Sequence, residues 1–380
     1  MNFERFKIRR PCPIGLDIGS HSIKMIQLAM RNDRPVVQAA HKILIAPSIR
    51  GDEGAFTDYA ASSIKSALRS EGFVGRDVVC SLPNDILKIT SHRLLASDDV
   101  EQALQKEVQK RFEIEPDNGV IDYLFTGTVQ SGEDTRDEYI LFAAENEHIK
   151  KYIDIIEAAD LNLVALEPLP CALFRNFERL YRREADKDRT MVLIDIGNSF
   201  TTVVFVRSDQ INFVKQIHIG GCDFDEEICK RLDVSIEQAG QLHNALLKSW
   251  NKNNSQNADS DEICQLDHST RKSLVDSISS VSEQIANEIS ICFRYYTVTF
   301  RGKRVEQALV SGGQAHENIL LNVLKRHLIT SVEIWDPMIG INMNEAFFKE
   351  DRRSLKSEWA AAVGLALKTL NAAHARTVTV

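Results

Sequence analysis

The sequence has no membrane-spanning run, no disulfide pattern and no excess of positive charge. In its 380 residues no stretch approaches the ~18 uncharged apolar residues that cross a bilayer. The formal net charge of -8 argues against a nucleic-acid partner, because such a partner needs a broad basic face. A hydrophobic content of 43% and a charged content of 26% are globular values, and the length favours two domains.

Cysteine is present without a recognisable motif. The seven cysteines are an odd number with no C-x-x-C pair, which predicts reduced thiols in a cytosolic protein. His218, Cys222 and Cys229 lie close in sequence, but their spacing fits no zinc pattern. Residues 1–10 lack the apolar core of a signal peptide. We interpret them as a frayed terminus, the alternative being an arm that touches a membrane or docks a partner.

One short phrase occurs twice in the chain. Residues 14–28 read IGLDIGSHSIKMIQL, and residues 192–206 read VLIDIGNSFTTVVFV. Each copy predicts a strand, an Asp-Ile-Gly turn and a second strand. The glycine lets backbone amides approach an anion closely, and the aspartate at a strand end can hold a hydrated divalent cation. Two such hairpins predict a duplicated α/β fold that closes on one nucleotide.

Apolar periodicity outlines the domain organisation. We predict a first lobe over 1–189 and a second lobe over 190–380, joined by a charged connector. A small α+β subdomain is inserted in the first lobe over 77–162. Its helix 97–112 carries an apolar stripe that we interpret as subdomain core. The second lobe includes a helical subdomain over 222–300.

A third glycine motif strengthens the nucleotide interpretation. Ser311-Gly-Gly313 is predicted to end a strand and open a helix, where backbone N–H groups suit a phosphate or let a flat ring pack closely. A tight turn without a ligand explains the same residues. The motifs Asp17-Ile-Gly19, Glu167-Pro168, Asp195-Ile-Gly197, Gly220-Gly221 and Ser311-Gly-Gly313 follow one another in this order.

This ordered set resembles the nucleotide-site motifs of the actin, sugar-kinase and heat-shock-chaperone superfamily. Within it, the chain is similar to the PilM family of actin-like type IV pilus assembly proteins over about 14–368. Gly15-Leu-Asp-Ile-Gly-Ser-His-Ser-Ile-Lys24 and Leu309-Val-Ser-Gly-Gly-Gln314 carry the resemblance, together with Trp335-Asp-Pro337 and the segment 359–368. The resemblance implies an actin-like (ASKHA) fold of two duplicated ribonuclease-H-like lobes with an inserted α+β subdomain.

The resemblance also implies roles for individual residues toward ATP or ADP with Mg²⁺. Asp17 and Asp195 would approach the metal through water. Glu167 matches a carboxylate that positions a water in hydrolytic relatives, although a salt bridge before Pro168 explains it equally well. The residues implied to line the phosphates or the nucleoside are Gly19, Ser20, His21, Gly197, Asn198, Ser199, Gly221, Gly312, Gly313 and Gln314.

Four positions depart from the family pattern. On the helix after the double glycine, Gly240 stands where Glu is expected and His243 where Lys is expected. His21 replaces a small residue, and Gln314 replaces a common third glycine. Each lost polar contact is worth roughly 0.5–1.5 kcal/mol, so we hypothesise weakened or lost nucleotide binding.

The family resemblance implies a cytoplasmic scaffold at the inner face of the inner membrane. Its partner would be the N-terminal tail of a PilN-like single-span membrane protein, held in a groove between the insertion and the first lobe. Pilus motor ATPase components and self-association are further partners implied, with at most weak ATPase activity. The alternatives are an FtsA-like division filament, against which the mild tail 371–380 argues, and a sugar kinase or phosphatase, for which no sugar-pocket motif is present.

Overall fold

The computed structural model describes residues 12–32, 34–50, 52–95, 99–131, 134–181, 189–207, 209–253, 266–299, 304–343 and 356–368. The terminal segments 1–10 and 371–380 and most of the charged connector between the predicted lobes, 182–189, lie outside these residues. The contacts divide the chain into two compact units. Unit 1 comprises Met1–Lys187, Ser208–Val214 and Asp336–Val380, and unit 2 comprises Asp188–Arg207 and Lys215–Trp335.

The strands, in chain order, are β1 (Ile14–Ile18), β2 (Ser22–Arg31), β3 (Arg34–Leu44), β4 (Asp77–Leu82), β5 (Lys88–Leu95), β6 (Gly119–Ser131), β7 (Asp134–Glu145), β8 (Asn162–Pro168), β9 (Thr190–Ile196), β10 (Thr201–Arg207), β11 (Gln210–Ile217), β12 (Gln307–Ser311) and β13 (Ser331–Ile334).

The helices are α1 (Pro47–Arg50), α2 (Glu53–Ser70), α3 (Val100–Phe112), α4 (Asn146–Ala158), α5 (Leu169–Glu178), α6 (Gly221–Leu232), α7 (Ile236–Asn253), α8 (His268–Thr299), α9 (Asn318–His327) and α10 (Ala360–Ala366). A 3₁₀ turn, Ser357–Trp359, precedes α10.

The repeated phrase corresponds to a repeated sheet. The first sheet has the order β3-β2-β1-β4-β8, and the second has the order β11-β10-β9-β12-β13. In each, the hairpin strands are antiparallel, and the first hairpin strand pairs in parallel with a later strand on its other side. The two sheets have one plan, which the two copies of the phrase predict.

Helices cover both faces of the first sheet. On one face, alternate residues of β1 such as Ile14 and Leu16 pack with Ile64 of α2 and Ile155 of α4. On the other face, Ile26 of β2 packs with Val363 of α10. A strand covered on both faces has apolar residues at most positions, and β1 is such a strand.

The predicted subdomain 77–162 contains strands of two sheets, the first sheet and a separate one. β4 and β8 belong to the first sheet, and α4 packs in its core. A separate three-stranded sheet, β5-β7-β6, packs against Leu104 and Val108 of α3. The α3 stripe is thus core, as interpreted from the sequence. We propose the narrower range 88–145 for the subdomain.

Candidate functional site

The first Asp-Ile-Gly turn is a tight connection between β1 and β2. The amide of Gly19 donates to the carbonyl oxygen of Ser22 at 3.1 Å. Ser20 and His21, predicted to line phosphates, lie exposed at the tip of this turn. The turn therefore presents a glycine and two polar side chains to solvent, which is an arrangement able to receive an anion.

Asp17 is held on both sides by neighbouring strands. Ser81 of β4 donates through Oγ to Asp17 Oδ1 at 3.3 Å, and Lys24 Nζ lies 3.5 Å from Asp17 Oδ2. Lys24 is directly opposite Asp17 in the β1–β2 register. The ammonium group already neutralises this carboxylate, so a cation approaching Asp17 would meet a fixed positive charge.

The second hairpin repeats the first with one difference in charge. The amide of Gly197 donates to the carbonyl oxygen of Phe200 at 2.9 Å, and Ser311 Oγ donates to Asp195 Oδ1 at 2.8 Å. The residue opposite Asp195 is Thr202 rather than a lysine. Of the two predicted metal residues, Asp195 therefore has the more suitable cross-strand neighbour for a hydrated Mg²⁺.

The double glycine begins α6 directly on the second turn. The amides of Gly221 and Cys222 donate to the carbonyl oxygens of Gly197 and Asn198 at 3.0 and 2.7 Å. A Cβ on Gly220 would lie 2.6 Å from the Asn198 carbonyl oxygen. Only glycine permits this approach, so the sequence motif Gly220-Gly221 has a packing role in addition to any ligand role.

The Ser311-Gly-Gly313 turn also packs on the second hairpin. Gly312 has a φ of +93°, and a Cβ there would lie 2.6 Å from the carbonyl carbon of Ile196. The amide of Gln314 donates to the Ile196 carbonyl oxygen at 3.1 Å. Gly313 differs, because a Cβ on it would meet nothing within 4 Å. Unit 2 thus brings together the turns of residues 195–199, 220–221 and 311–314.

His243 is buried among carboxylates instead of facing a ligand. Its Nδ1 lies 3.0 Å from Asp225 Oδ1 and its Nε2 lies 3.1 Å from Glu317 Oε2. Burial alone lowers the pKa of His243, but hydrogen bonds to Asp225 and Glu317 outweigh it and raise the pKa to about 9. The family pattern implies a positively charged lysine at position 243. The histidine found there also carries a positive charge below its pKa, but this charge is paired with Asp225 and Glu317.

This cluster predicts a specific pH dependence. Because the pKa of His243 is about 9 in the fold against an ordinary 6.5, its stabilisation is complete below pH 6.5 and is lost as pH rises through 9. We expect a loss on the order of 2–3 kcal/mol over that interval. Urea unfolding should show the stability difference between wild type and His243→Gln narrowing from pH 6.5 to 9. A difference independent of pH would contradict the ion pairing.

Glu167 is part of a buried ion-pair network in unit 1. Arg175 of α5 binds it with two hydrogen bonds, one of 2.8 Å, and Lys368 Nζ lies 2.6 Å from Oε2. The same guanidinium donates to the carbonyl oxygen of Gly364 at 3.0 Å. Of the two roles that the sequence allows for Glu167, this geometry is that of the salt bridge.

Several site residues are absent from the sequence-based set. Ser81 holds Asp17 and is absent from that set, whereas Ser311 holds Asp195 and is in the set only as part of the Ser311-Gly-Gly313 motif, without this role. Both serines lie near the end of a strand beside an Asp-Ile-Gly strand, which is a signal that the sequence contains. Arg175, Asp225, Glu317 and Lys368 have no such signal, because their partners are far away in sequence. In the described ranges, no three or more His, Cys, Asp or Glu residues are arranged to hold a metal, and none of the six described cysteines is in a disulfide.

Comparison with solved structures defines the class of protein. The "PilM-PilN type IV pilus biogenesis complex" matches with a TM-score of 0.75 and 22% identity, covering 95% of this chain and 99% of that one. Ethanolamine utilization protein EutJ from Carboxydothermus hydrogenoformans matches with a TM-score of 0.52 and 14% identity, over 95% and 90% of the two chains. The predicted actin-like α/β fold is therefore confirmed, and the chain has an actin-like ATPase fold.

The particular family follows from the sequence. The sequence model of the family described as type IV pilus assembly protein PilM matches residues 15–258 and 264–370. The chain belongs to this family, as its motifs imply. Within the described ranges, no helix combines the length and apolarity needed to span a bilayer.

Proposed function

We propose that this chain is a cytoplasmic scaffold of a type IV pilus or related secretion machine, and that it binds the N-terminal tail of a PilN-like inner-membrane protein. Membership of the PilM family and the likeness to a PilM-PilN complex support this role. Such a protein would be peripheral at the inner face of the inner membrane, held there through its partner. The scaffold function requires a binding surface and no turnover.

The observation that carries this proposal is the exposed edge of the inserted sheet. β6 is an edge strand, and in the described part of the chain it pairs only with β7. Val120 is 53% exposed and Phe125 49% exposed, with Tyr123 beside them. An edge strand with exposed apolar side chains is a template for another strand.

The chemistry of β6 fits an extended peptide tail. Tyr123 and Phe125 point to the face of the sheet that carries Tyr139, and both rings contact the Tyr139 ring, at centroid distances of 5.7 and 5.6 Å. Val120 points to the opposite face, because successive strand residues alternate. A tail added to β6 would gain main-chain hydrogen bonds and place apolar anchors on both faces.

The test is direct binding of a synthetic peptide with the tail sequence of the PilN-like protein from the same genome. We expect Phe125→Asp to weaken binding by about tenfold or more, because it removes an aromatic anchor and buries a charge. Val298→Asp, at a residue of α8 that is 82% exposed, is the matched control and should bind normally. Equal affinity of the wild type and Phe125→Asp would refute the placement on β6.

The nucleotide is the second part of the proposal. When bound, Mg·ATP would act as a structural ligand or a switch. In unit 2, the turn at Gly197 would receive phosphate oxygens, and Asp195 would hold the hydrated metal. Motor ATPase components and self-association remain predictions that the family resemblance implies.

A further inference from the structure

The Gln314 side chain lies directly against Gly221 in unit 2. A Cβ on Gly221 would lie 2.9 Å from Gln314 Cδ. Non-bonded carbon atoms in contact are about 3.5–4.0 Å apart, so the carboxamide already occupies the layer above the Gly221 backbone. A ligand ring could enter this layer only if the side chain left it.

The main chain at Gln314 is fixed independently of its side chain. Its amide donates to the Ile196 carbonyl oxygen at 3.1 Å, and its own carbonyl oxygen accepts from the amide of Glu317 at 3.0 Å. Both bonds survive a change of side chain. A substitution at 314 therefore alters what fills the space over Gly221 while the turn keeps its shape.

Neither Gly240 nor His243 offers a free polar side-chain group to a nucleoside. Gly240 has no side chain, and the nearest atom to a Cβ built there is Asp225 Oδ2 at 3.7 Å. His243 is buried with both ring nitrogens occupied by Asp225 and Glu317. As they stand, these residues fit the phosphate end of a nucleotide better than its nucleoside end.

We infer that Gln314 closes the nucleoside part of the site in unit 2 and thereby limits nucleotide affinity. Its carboxamide takes the place above Gly221 that a nucleoside would otherwise fill. The inference rests on the proposed function only in assigning the turns 220–221 and 311–314 to a nucleotide. It does not depend on the tail-binding surface of β6.

Two substitutions at this position separate volume from polarity. Gln314→Ala removes the side chain beyond Cβ, whereas Gln314→Met keeps its length without the carboxamide. Calorimetric titration with Mg·ATP and, separately, with adenosine should show binding by Gln314→Ala about tenfold tighter than wild type. Gln314→Met should match the wild type, because it still fills the space.

Each other outcome overturns the inference. Equal affinities of wild type and Gln314→Ala, or a gain in Gln314→Met, would each show that occlusion by this side chain does not limit binding. The thermal midpoint of every variant establishes that it is folded. Tail binding by the same variants is measured in parallel and should be unchanged, so failure of this inference is distinguishable from failure of the scaffold proposal.

Discussion

Replacing Arg175 by Met is expected to lower the free energy of unfolding by about 3–5 kcal/mol, since breaking a buried ion pair from one side leaves an uncompensated charge. The Glu167 carboxylate is 6% exposed and takes two hydrogen bonds from Arg175. Lys368 remains as a partner, but its side chain is 36% exposed. The loss should be measured by urea unfolding.

Arg189→Met is the matched control for this prediction. Arg189 also pairs with a glutamate, Glu306, at 2.9 Å, but both side chains are more than a third exposed. Exposed pairs contribute about 0–1 kcal/mol, so this variant should lose little. Glu167→Met combined with Arg175→Met should recover part of the stability. A small loss of stability in Arg175→Met would show that the ion pairs around Glu167 contribute little to the stability of unit 1.

Urea unfolding combined with an ATP hydrolysis assay decides between the two roles of Glu167. If the carboxylate has a structural role, Glu167→Gln destabilises unit 1. Any slow ATP hydrolysis then falls only in proportion to the fraction of protein that is unfolded. If it positions a water, hydrolysis falls while stability is kept. Measuring stability and ATP hydrolysis on one preparation distinguishes the two roles, because loss of the structural role lowers stability and loss of the water-positioning role lowers hydrolysis.

The hairpins are the part of the fold that sequence predicts best. Each Asp-Ile-Gly phrase is local, and its apolar strands continue on both sides of one turn, so its register follows from a few neighbouring residues. The order of each sheet, by contrast, depends on parallel pairings between strands that are distant in sequence. β4 and β8 lie within the predicted subdomain 77–162 but pair in the first sheet. The strand pattern does not reveal this, because the partner of β4, the strand β1, is distant in sequence.

The contacts around the site could not be predicted in this way. α5 begins directly after Pro168, and its apolar positions Leu169, Leu173 and Phe177 do follow helical spacing. The link from Glu167 to Lys368, however, spans 201 residues, and that from His243 to Glu317 spans 74. Such pairs depend on how helices pack, so a residue type at a motif position does not reveal whether it faces a ligand or another side chain.

A second large effect is expected at the contact between α5 and α10. A Cβ on Gly364 would lie 2.5 Å from the carbonyl carbon of Ala172, and one on Gly15 would lie 2.7 Å from the Ala366 amide nitrogen. Since the nearest atoms are backbone atoms of packed elements, no side-chain rotation relieves the clash. Gly364→Ala should therefore cost about 3 kcal/mol or more, at the upper end of overpacking effects.

Gly54→Ala is the control that separates this clash from the general effect of replacing glycine. Gly54 is exposed in the first turn of α2, and the nearest atom to its added Cβ is 3.6 Å away. Alanine should stabilise that helix by about 0.5–1 kcal/mol, because it restricts the unfolded chain. The two variants should thus shift the urea midpoint in opposite directions. A neutral Gly364→Ala would mean that α10 can move away from α5. In that case the hydrogen bond from the Arg175 guanidinium to Gly364 does not hold these two helices together.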